Sequence, residues 1–397
     1  MNCQREDLLK SEVDWKHEAL LQTEIHNPHL DQPPFLVREQ LRQGYETPFL
    51  LLDSAFIRNQ VRRFKAAMPR VKPHFAVKSN PDAKILQILK EEGAGFEIAS
   101  RTELDALLQM DIDAAQVFYS NPVKSSAYIQ YAATTGLEWY SIDSIEELRK
   151  VHHIKPDAKF YLRIHTTNEG ATFPLSEKFG AYPDDIERII EEAASLKADL
   201  AGVTFHVGSQ CTNIENWRLG IRAARQIFSQ MTEAGLKPRL LNLGGGYPVP
   251  LNAPVPEIEA IGAVINTELE SFPDTTQVIA EPGRFIVAGA GCLVTRVVGT
   301  TQRDGKRWLY LETGFYSGLM ELKDGLPLVL QSDRDGPLSP WTIAGPTCDS
   351  IDVCAQNYPL PGNLCEGDLI YIRSAGAYSN ACATTFNGFP SPSVIVV

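Results

Sequence analysis

Positive charge is scarce in this 397-residue chain: 37 Lys and Arg stand against 49 Asp and Glu, a net charge of −12. An acidic surface repels phosphate backbones and anionic lipid, which argues against nucleic-acid and membrane-surface partners. Long hydrophobic runs are missing as well; the longest apolar stretch, 285–294, is about half of what a bilayer span requires. The N-terminal MNCQREDLLK has no apolar signal core, so no secretory leader is expected. Seven cysteines, an odd number without a C-x-x-C pair, argue against a disulfide framework and favour reduced thiols in a cytoplasm. The chain also lacks repeats and low-complexity tracts. What remains, 44% apolar and 22% charged, is the mix of a soluble globular protein long enough for one large domain or two.

From about Val71 short β-like runs alternate with amphipathic helical stretches. FAV (75–77), FEIA (96–99), VFYS (117–120), EWYSI (138–142), FYLRI (160–164), GVTFHV (202–207), LLNL (240–243) and QVIA (277–280) read as strands. Helix starts are marked by Asn80-Pro81, read as an N-cap followed by proline at the first helical position, and by capping boxes at Ser100/Glu103 and Ser144/Glu147. A further apolar-periodic stretch covers 214–234. Eight strands, each separated by a helix-sized stretch over roughly 210 residues, predict a parallel (β/α)8 barrel. An open doubly wound sheet would use fewer strands and usually a G-x-G-x-x-G after the first, which is missing. Beyond Glu281 the chain turns rich in Val, Ile, Thr, Gly and Pro, predicting a mostly β second domain. Spacing alone leaves open which part the first 44 residues join.

Barrel chemistry sits at the carboxyl ends of the strands. There this chain places Lys78, Glu97, Arg163, His206 with Gly208-Ser209, Gly244-Gly245-Gly246, and Glu281-Pro282-Gly283-Arg284. Three glycines let the backbone approach a ligand and aim N–H groups at an anion such as phosphate, although a tight turn would also use them. Arg284 could add a charge-assisted contact. A lysine at the end of an apolar strand is costly to leave charged and unpaired, and a lysine of depressed pKa is the usual Schiff-base nucleophile. His206, in VTFHVG, has no second ligand at metal spacing, so no metal site is expected; an imidazole stacked on a planar ring fits better. Glu281 could be a salt-bridge partner only. Facing a pyridine nitrogen, it would instead keep that nitrogen protonated and the ring electron-poor. Together these groups describe a pyridoxal 5'-phosphate site.

The motifs HFAVKSN (74–80), GFEIASRTEL (95–104), LRI (162–164), FHVGSQ (205–210), LGGGYP (243–248), EPGR (281–284), GPTCDSID (345–352) and GAYSNACATTFNGF (376–389) resemble the fold-type III pyridoxal-phosphate decarboxylases. That group contains eukaryotic-type ornithine decarboxylase and diaminopimelate decarboxylase. The resemblance implies an α/β fold with a TIM-like barrel over 45–282 and a C-terminal β domain formed by 1–44 and 283–397. It further implies a head-to-tail homodimer with two active sites at its interface. Carried over, Lys78 would hold the cofactor covalently, Glu281 would bind the pyridine nitrogen and His206 would stack on the ring. Glu97 and Arg163 would be further cofactor contacts, while Ser209, Gly245, Gly246, Arg284 and Tyr378 would hold the phosphate. Cys348, as proton donor, and Asp349, facing the distal amine of the substrate, would reach the neighbouring protomer's site. Without the resemblance Cys348 reads as a buried structural thiol, as do Cys3, Cys211, Cys292, Cys354, Cys365 and Cys382.

Decarboxylation of a basic amino acid, with release of CO2 and an amine, is therefore expected, ornithine being the reference substrate. In ornithine decarboxylases a Tyr-Asp pair follows a Gly-x-Tyr segment, and its Asp receives the terminal ammonium. Counting from Tyr316 in GFYSGLMELKDG places Gly325 there, with Asp324 one residue off and Lys323 beside it. Either Asp324 serves, or the distal end of the substrate is not a bare ammonium. Lys323 and Arg373 motivate the second option, an N-acylated or carboxylate-bearing substrate such as a citryl-ornithine siderophore precursor. Asp349, where diaminopimelate decarboxylases have glutamate, makes that substrate less favoured. An amino-acid racemase would place arginine rather than glutamate at the pyridine nitrogen. A non-catalytic homologue that binds a partner would tend to lose Lys78 or Cys348, and both are present.

Overall fold

Alternating apolar strands and capped helices close on themselves, and a long mixed sheet grows from the end of that ring. In the computed structural model, which describes residues 34–397, a helix (Pro34–Arg42) leads into β1 (Phe49–Leu52). There follow β2 (Val71–Ala76), β3 (Gly95–Ile98), β4 (Val117–Tyr119), β5 (Trp139–Ile142), β6 (Lys159–Arg163), β7 (Ala171–Phe173), β8 (Asp199–Thr204), β9 (Ser209–Cys211), β10 (Leu240–Asn242) and β11 (Gln277–Ala280). The eight strands β2-β3-β4-β5-β6-β8-β10-β11 pair in parallel and close into a barrel. Strands β7 and β9 form a separate two-stranded antiparallel ribbon, which periodicity did not suggest.

Strand ends fall slightly earlier than the sequence predicts. Ala76 ends β2, so Lys78 rides on the 3-10 turn Val77–Ser79, and Thr204 ends β8, so His206 stands on the loop beyond. At the other end the barrel is plugged by rings. Phe118 stacks on Trp139 at 5.2 Å between centroids and takes His74 edge-on at 4.8 Å, with Tyr161 at 5.8 Å. Gly95 is required here, since a Cβ on it would lie 2.3 Å from the His74 ring.

Most helix starts behave as expected. Ser100 Oγ accepts from Glu103 N at 3.3 Å, and Ser144 Oγ accepts from Glu147 N at 3.3 Å. The reciprocal bonds differ: Glu103 accepts from Ala99 N, and Glu147 is drawn off to the buried Lys124 ammonium at 3.1 Å. Asn80 is not a cap. Asp82 caps the helix Ala83–Glu91, accepting from Lys84 N, while the Asn80 side chain turns the chain before it, accepting from Asp82 N (3.1 Å) and Asn380 Nδ2 (3.0 Å) and donating to Gly376 O (2.9 Å). The stretch read at 214–234 is the helix Glu215–Glu233.

The second region is a mixed eight-stranded sheet. Its core order is β14 (Leu330–Ser332), β17 (Leu369–Arg373), β12 (Gly291–Arg303), β13 (Lys306–Leu311), β15 (Leu338–Ala344), β16 (Val353–Pro361). The remaining two strands are β1 and β18 (Ser393–Val396): β1 pairs antiparallel with β12 and parallel with β18. This corrects the boundary expected at residue 45. The four residues FLLL are buried on both faces and bonded at both edges, so they belong to the sheet, and the barrel begins after Asp53 caps the helix Ser54–Ala67. Val37 of the first helix packs with Phe49, Leu51, Val294 and Tyr371, so residues 34–42 also lie on this sheet. Residues 1–33 and Cys3 lie outside the described residues. No helix among the described residues is long and apolar enough to cross a membrane.

Candidate active site

The carboxyl ends of the barrel strands converge on Lys78. Its Nζ lies 3.1 and 3.3 Å from the two oxygens of Glu97, which is buried on β3. The ammonium faces an open cleft: 43% of the Lys78 side chain stays accessible against 1% of Glu97. Burial alone would lower the Lys78 pKa, but Glu97, with Tyr378 and Glu281, outweighs it and raises it. The depressed pKa expected from the sequence is thus corrected. The pattern could not show that the amine is paired. Burial, helped by Glu281 and Glu103, lifts Glu97 above the usual carboxylate range although Lys78 pulls it back.

Glu281 follows β11. Its Oε1 accepts from Ser120 Oγ and from Asn242 Nδ2, both at 2.6 Å, and Ser120 is itself bonded to the Tyr161 hydroxyl at 2.7 Å. Both donors fall on one oxygen, so the carboxylate is fixed while Oε2 keeps its acceptor capacity. Sequence reasoning missed Ser120 and Asn242, although each stands at the end of a barrel strand, where it looked for chemistry. His206 Nδ1 accepts from Gly208 N at 3.1 Å, which leaves the proton of the neutral ring on Nε2. Burial, then the charges of Arg163 and Lys78, hold its pKa well below the usual value, so the imidazole is neutral. Arg163, whose guanidinium lies 5.3 Å from the Phe179 ring centroid, has its pKa lowered by burial against Glu281, Asp143 and Glu97.

The glycine triplet is dictated by crowding. A Cβ on Gly245 would lie 2.8 Å from Glu281 O and 3.0 Å from His206 Nε2; one on Gly246, at φ +101°, would lie 2.3 Å from Gly208 O. Beyond it Arg284 is almost fully buried, 3.4 Å from Ser209 Oγ and 5.0 Å from the centroid of Tyr378, with its Nε unpartnered. An orphaned buried guanidinium nitrogen, a backbone cradle without side chains and a paired amine are what a phosphate and an aldehyde together require, so the residues fit pyridoxal phosphate. Sequence reasoning missed Glu321, which grips Arg284 through both terminal nitrogens at 2.5 and 2.9 Å.

A second cluster belongs to the β region. The Tyr316 hydroxyl donates to Asp349 Oδ2 at 2.7 Å and its ring lies 4.4 Å from that of Phe386. Cys348 is exposed, and its N–H and Sγ both reach Asn387 Oδ1, at 3.2 and 3.3 Å. The Ile351 N–H, then the Tyr316 hydroxyl, hold the Asp349 carboxyl below its usual range. Cys348 is therefore no buried structural thiol, and neither is the exposed Cys365; Cys211, Cys292 and Cys354 are buried. Asp324 does not join this cluster. It ends the short helix Met320–Lys323 as an exposed residue, because the turn directs Glu321 inward instead. Lys323 donates to Val353 O and its ammonium lies 5.9 Å from the Phe315 ring centroid, while Arg373 lies on β17 bonded to Gln331.

A closed parallel barrel whose rim joins a paired lysine, a buried carboxylate held from one side and a glycine cradle free of side chains defines a class, the pyridoxal-phosphate enzymes built on a TIM-like barrel. Residues 54–288 match the family of pyridoxal-dependent decarboxylases over its pyridoxal binding domain, and the chain belongs to that family. Ornithine decarboxylase of Schizosaccharomyces pombe is 35% identical over 87% of this chain and 82% of its own. Antizyme inhibitor 2 of Xenopus laevis is 35% identical over 86% and 79%. The solved lysine/ornithine decarboxylase of Vibrio vulnificus, complexed with cadaverine, superposes with a TM-score of 0.84 at 35% identity, covering 91% of this chain and 98% of that one. The protein is a pyridoxal-phosphate-dependent amino-acid decarboxylase, whose substrate is a small molecule, an amino acid.

Proposed function

We propose that the substrate is a basic amino acid of the ornithine type, decarboxylated at a site that two copies of the chain complete. The observation that carries this reading is Asp349. It is a carboxylate kept ionised by a backbone N–H and the Tyr316 hydroxyl, set beside an exposed thiol, and suited to a terminal ammonium. The cluster lies open, with Cys348 exposed and Asp349 half-buried, which leaves both groups accessible to a second copy in a head-to-tail homodimer where they would serve the neighbouring barrel.

Bound pyridoxal phosphate supplies a carbonyl that condenses with amines and a ring that accepts the electrons released as CO2 departs. Lys78 would hold it covalently and yield it to the substrate amine, with Glu97 taking and returning the proton between them. Glu281 Oε2 would keep a proton on the ring nitrogen, and neutral His206 would lie against the ring without adding charge. Arg163 would balance the buried carboxylates. Ser209, Gly245, Gly246, Arg284 and Tyr378 would seat the phosphate. Cys348, its thiol aimed by Asn387, would deliver the last proton.

CO2 release is to be measured on ornithine, lysine, diaminopimelate and an N-acyl-ornithine. Preference for ornithine or lysine by at least tenfold in kcat/KM, a margin of about 1.4 kcal/mol, is expected. Preference for the acylated compound would reject the bare-ammonium reading. Mixing K78A and C348A chains restores activity that neither has alone if the sites are shared.

A further inference from the structure

Arg284 and Glu321 form the best-aligned ion pair of the barrel rim, and nothing in the reaction as derived uses it. Both terminal nitrogens of the guanidinium are engaged by the two carboxylate oxygens, and the side chains are only 4% and 14% accessible. A fork-to-fork pair of this kind is strong, and it also compensates a cation that would be costly to leave alone in a buried place. Yet the same guanidinium borders Ser209 Oγ and the ring of Tyr378, next to the glycine cradle. A phosphate dianion arriving there would meet a carboxylate already holding the donors it needs, and two anions at such range repel.

We propose that Glu321 is a built-in competitor of the cofactor phosphate: it holds Arg284 until pyridoxal phosphate takes the guanidinium from it, and thereby sets cofactor affinity. The proposal rests on the reading that Arg284 receives the phosphate. Glu321 is a positioning residue in this account, acting through Arg284, and the short helix Met320–Lys323 that carries it is the element that must give way. The unpartnered Nε of Arg284 offers a third donor, so the phosphate can begin to bind before the carboxylate has left.

The test is titration of cofactor-stripped protein with pyridoxal phosphate and, separately, with pyridoxal, followed by absorbance. For E321Q, which keeps the size and removes the charge, the Kd for pyridoxal phosphate is expected to fall about tenfold while that for pyridoxal stays unchanged. E321D, one methylene shorter, should shift it in the same direction if E321Q does not fold. Inorganic phosphate should also raise the Tm of stripped E321Q more than that of the wild type. An unchanged or weaker affinity for pyridoxal phosphate in the folded variant overturns the proposal, since a residue that merely props Arg284 in place would weaken binding when altered. R284M separates the two readings. If it leaves the affinity for pyridoxal phosphate intact, the phosphate assignment of Arg284 has failed; if it weakens binding while E321Q does not strengthen it, only the competitor role has.

Discussion

The barrel rim and the Tyr316–Cys348–Asp349 cluster are both sites of charge, yet they are built by opposite means. At the rim the carboxylates of Glu97 and Glu281 are nearly sealed, each fixed by a partner from a different βα unit, Lys78 and Asn242. In the β region Asp349 is only half-buried, Cys348 is open, and the groups that hold them come from three loops, at 314–317, 345–352 and 384–387. Burial suits the first because a ring kept electron-poor needs fixed charges in a dry setting, where electrostatics are strong. On the proposed reading openness suits the second, because its carboxylate and thiol would serve a substrate that must come and go, and a second copy of the chain would cover them. On that reading one chain would complete the cofactor electronics, and substrate choice would be left to a surface.

The contrast is broken most severely at Lys78. K78A is expected to abolish the visible absorbance of the bound cofactor and to cut CO2 release by at least about 10⁴-fold, with far-UV circular dichroism unchanged. E281Q keeps the shape of the rim but weakens its hold on a proton at the ring. We expect kcat to fall by about 10²–10³-fold with little change in KM for the amino acid. D349N probes the other region. There kcat/KM for a substrate with a terminal ammonium should drop by about 10- to 100-fold, the worth of one charge-assisted bond, while affinity for pyridoxal phosphate holds. A loss of cofactor affinity in D349N would erase the division between the regions.

The smallest effect lies beneath the rim. Burial, with the charge of Lys72, pushes the pKa of His74 down to about 3 from an ordinary 6.5. A group whose pKa is lower in the folded state binds its proton first in the unfolded chain. Its contribution is therefore complete above pH 6.5 and is lost as pH falls toward 3. The urea midpoint of the wild type should decline across that window, and H74Q should flatten the decline by one proton's worth, about 1.4 kcal/mol per pH unit. An equal slope in H74Q would mean that His74 takes up its proton without unfolding.

Much of this arrangement was legible in the sequence because strand ends and capped helices are local events. The alternation from residue 71 onward led to a closed barrel, and the rule that chemistry gathers at strand ends found Lys78, Glu97, His206 and Glu281. The misreadings share one cause. Asn80 and Glu147 are read from their neighbours in the chain, but each is claimed by a partner distant in sequence, Gly376 and Lys124, as Phe49–Leu52 is by β12. Counting along a loop likewise led to Gly325 with Asp324 one residue off, where one turn of helix brings Glu321 inward instead.

Residue order by itself settled which side chains could carry an amine, a ring proton and a phosphate, because those are properties of residue type and of short spacings. Whether the lysine is paired, which oxygen of Glu281 is spoken for, and which acid meets Arg284 were decided only when the strands closed and the β sheet came down on the rim. Charges interact through space with an energy set by distance and burial, and neither quantity exists until the chain has folded.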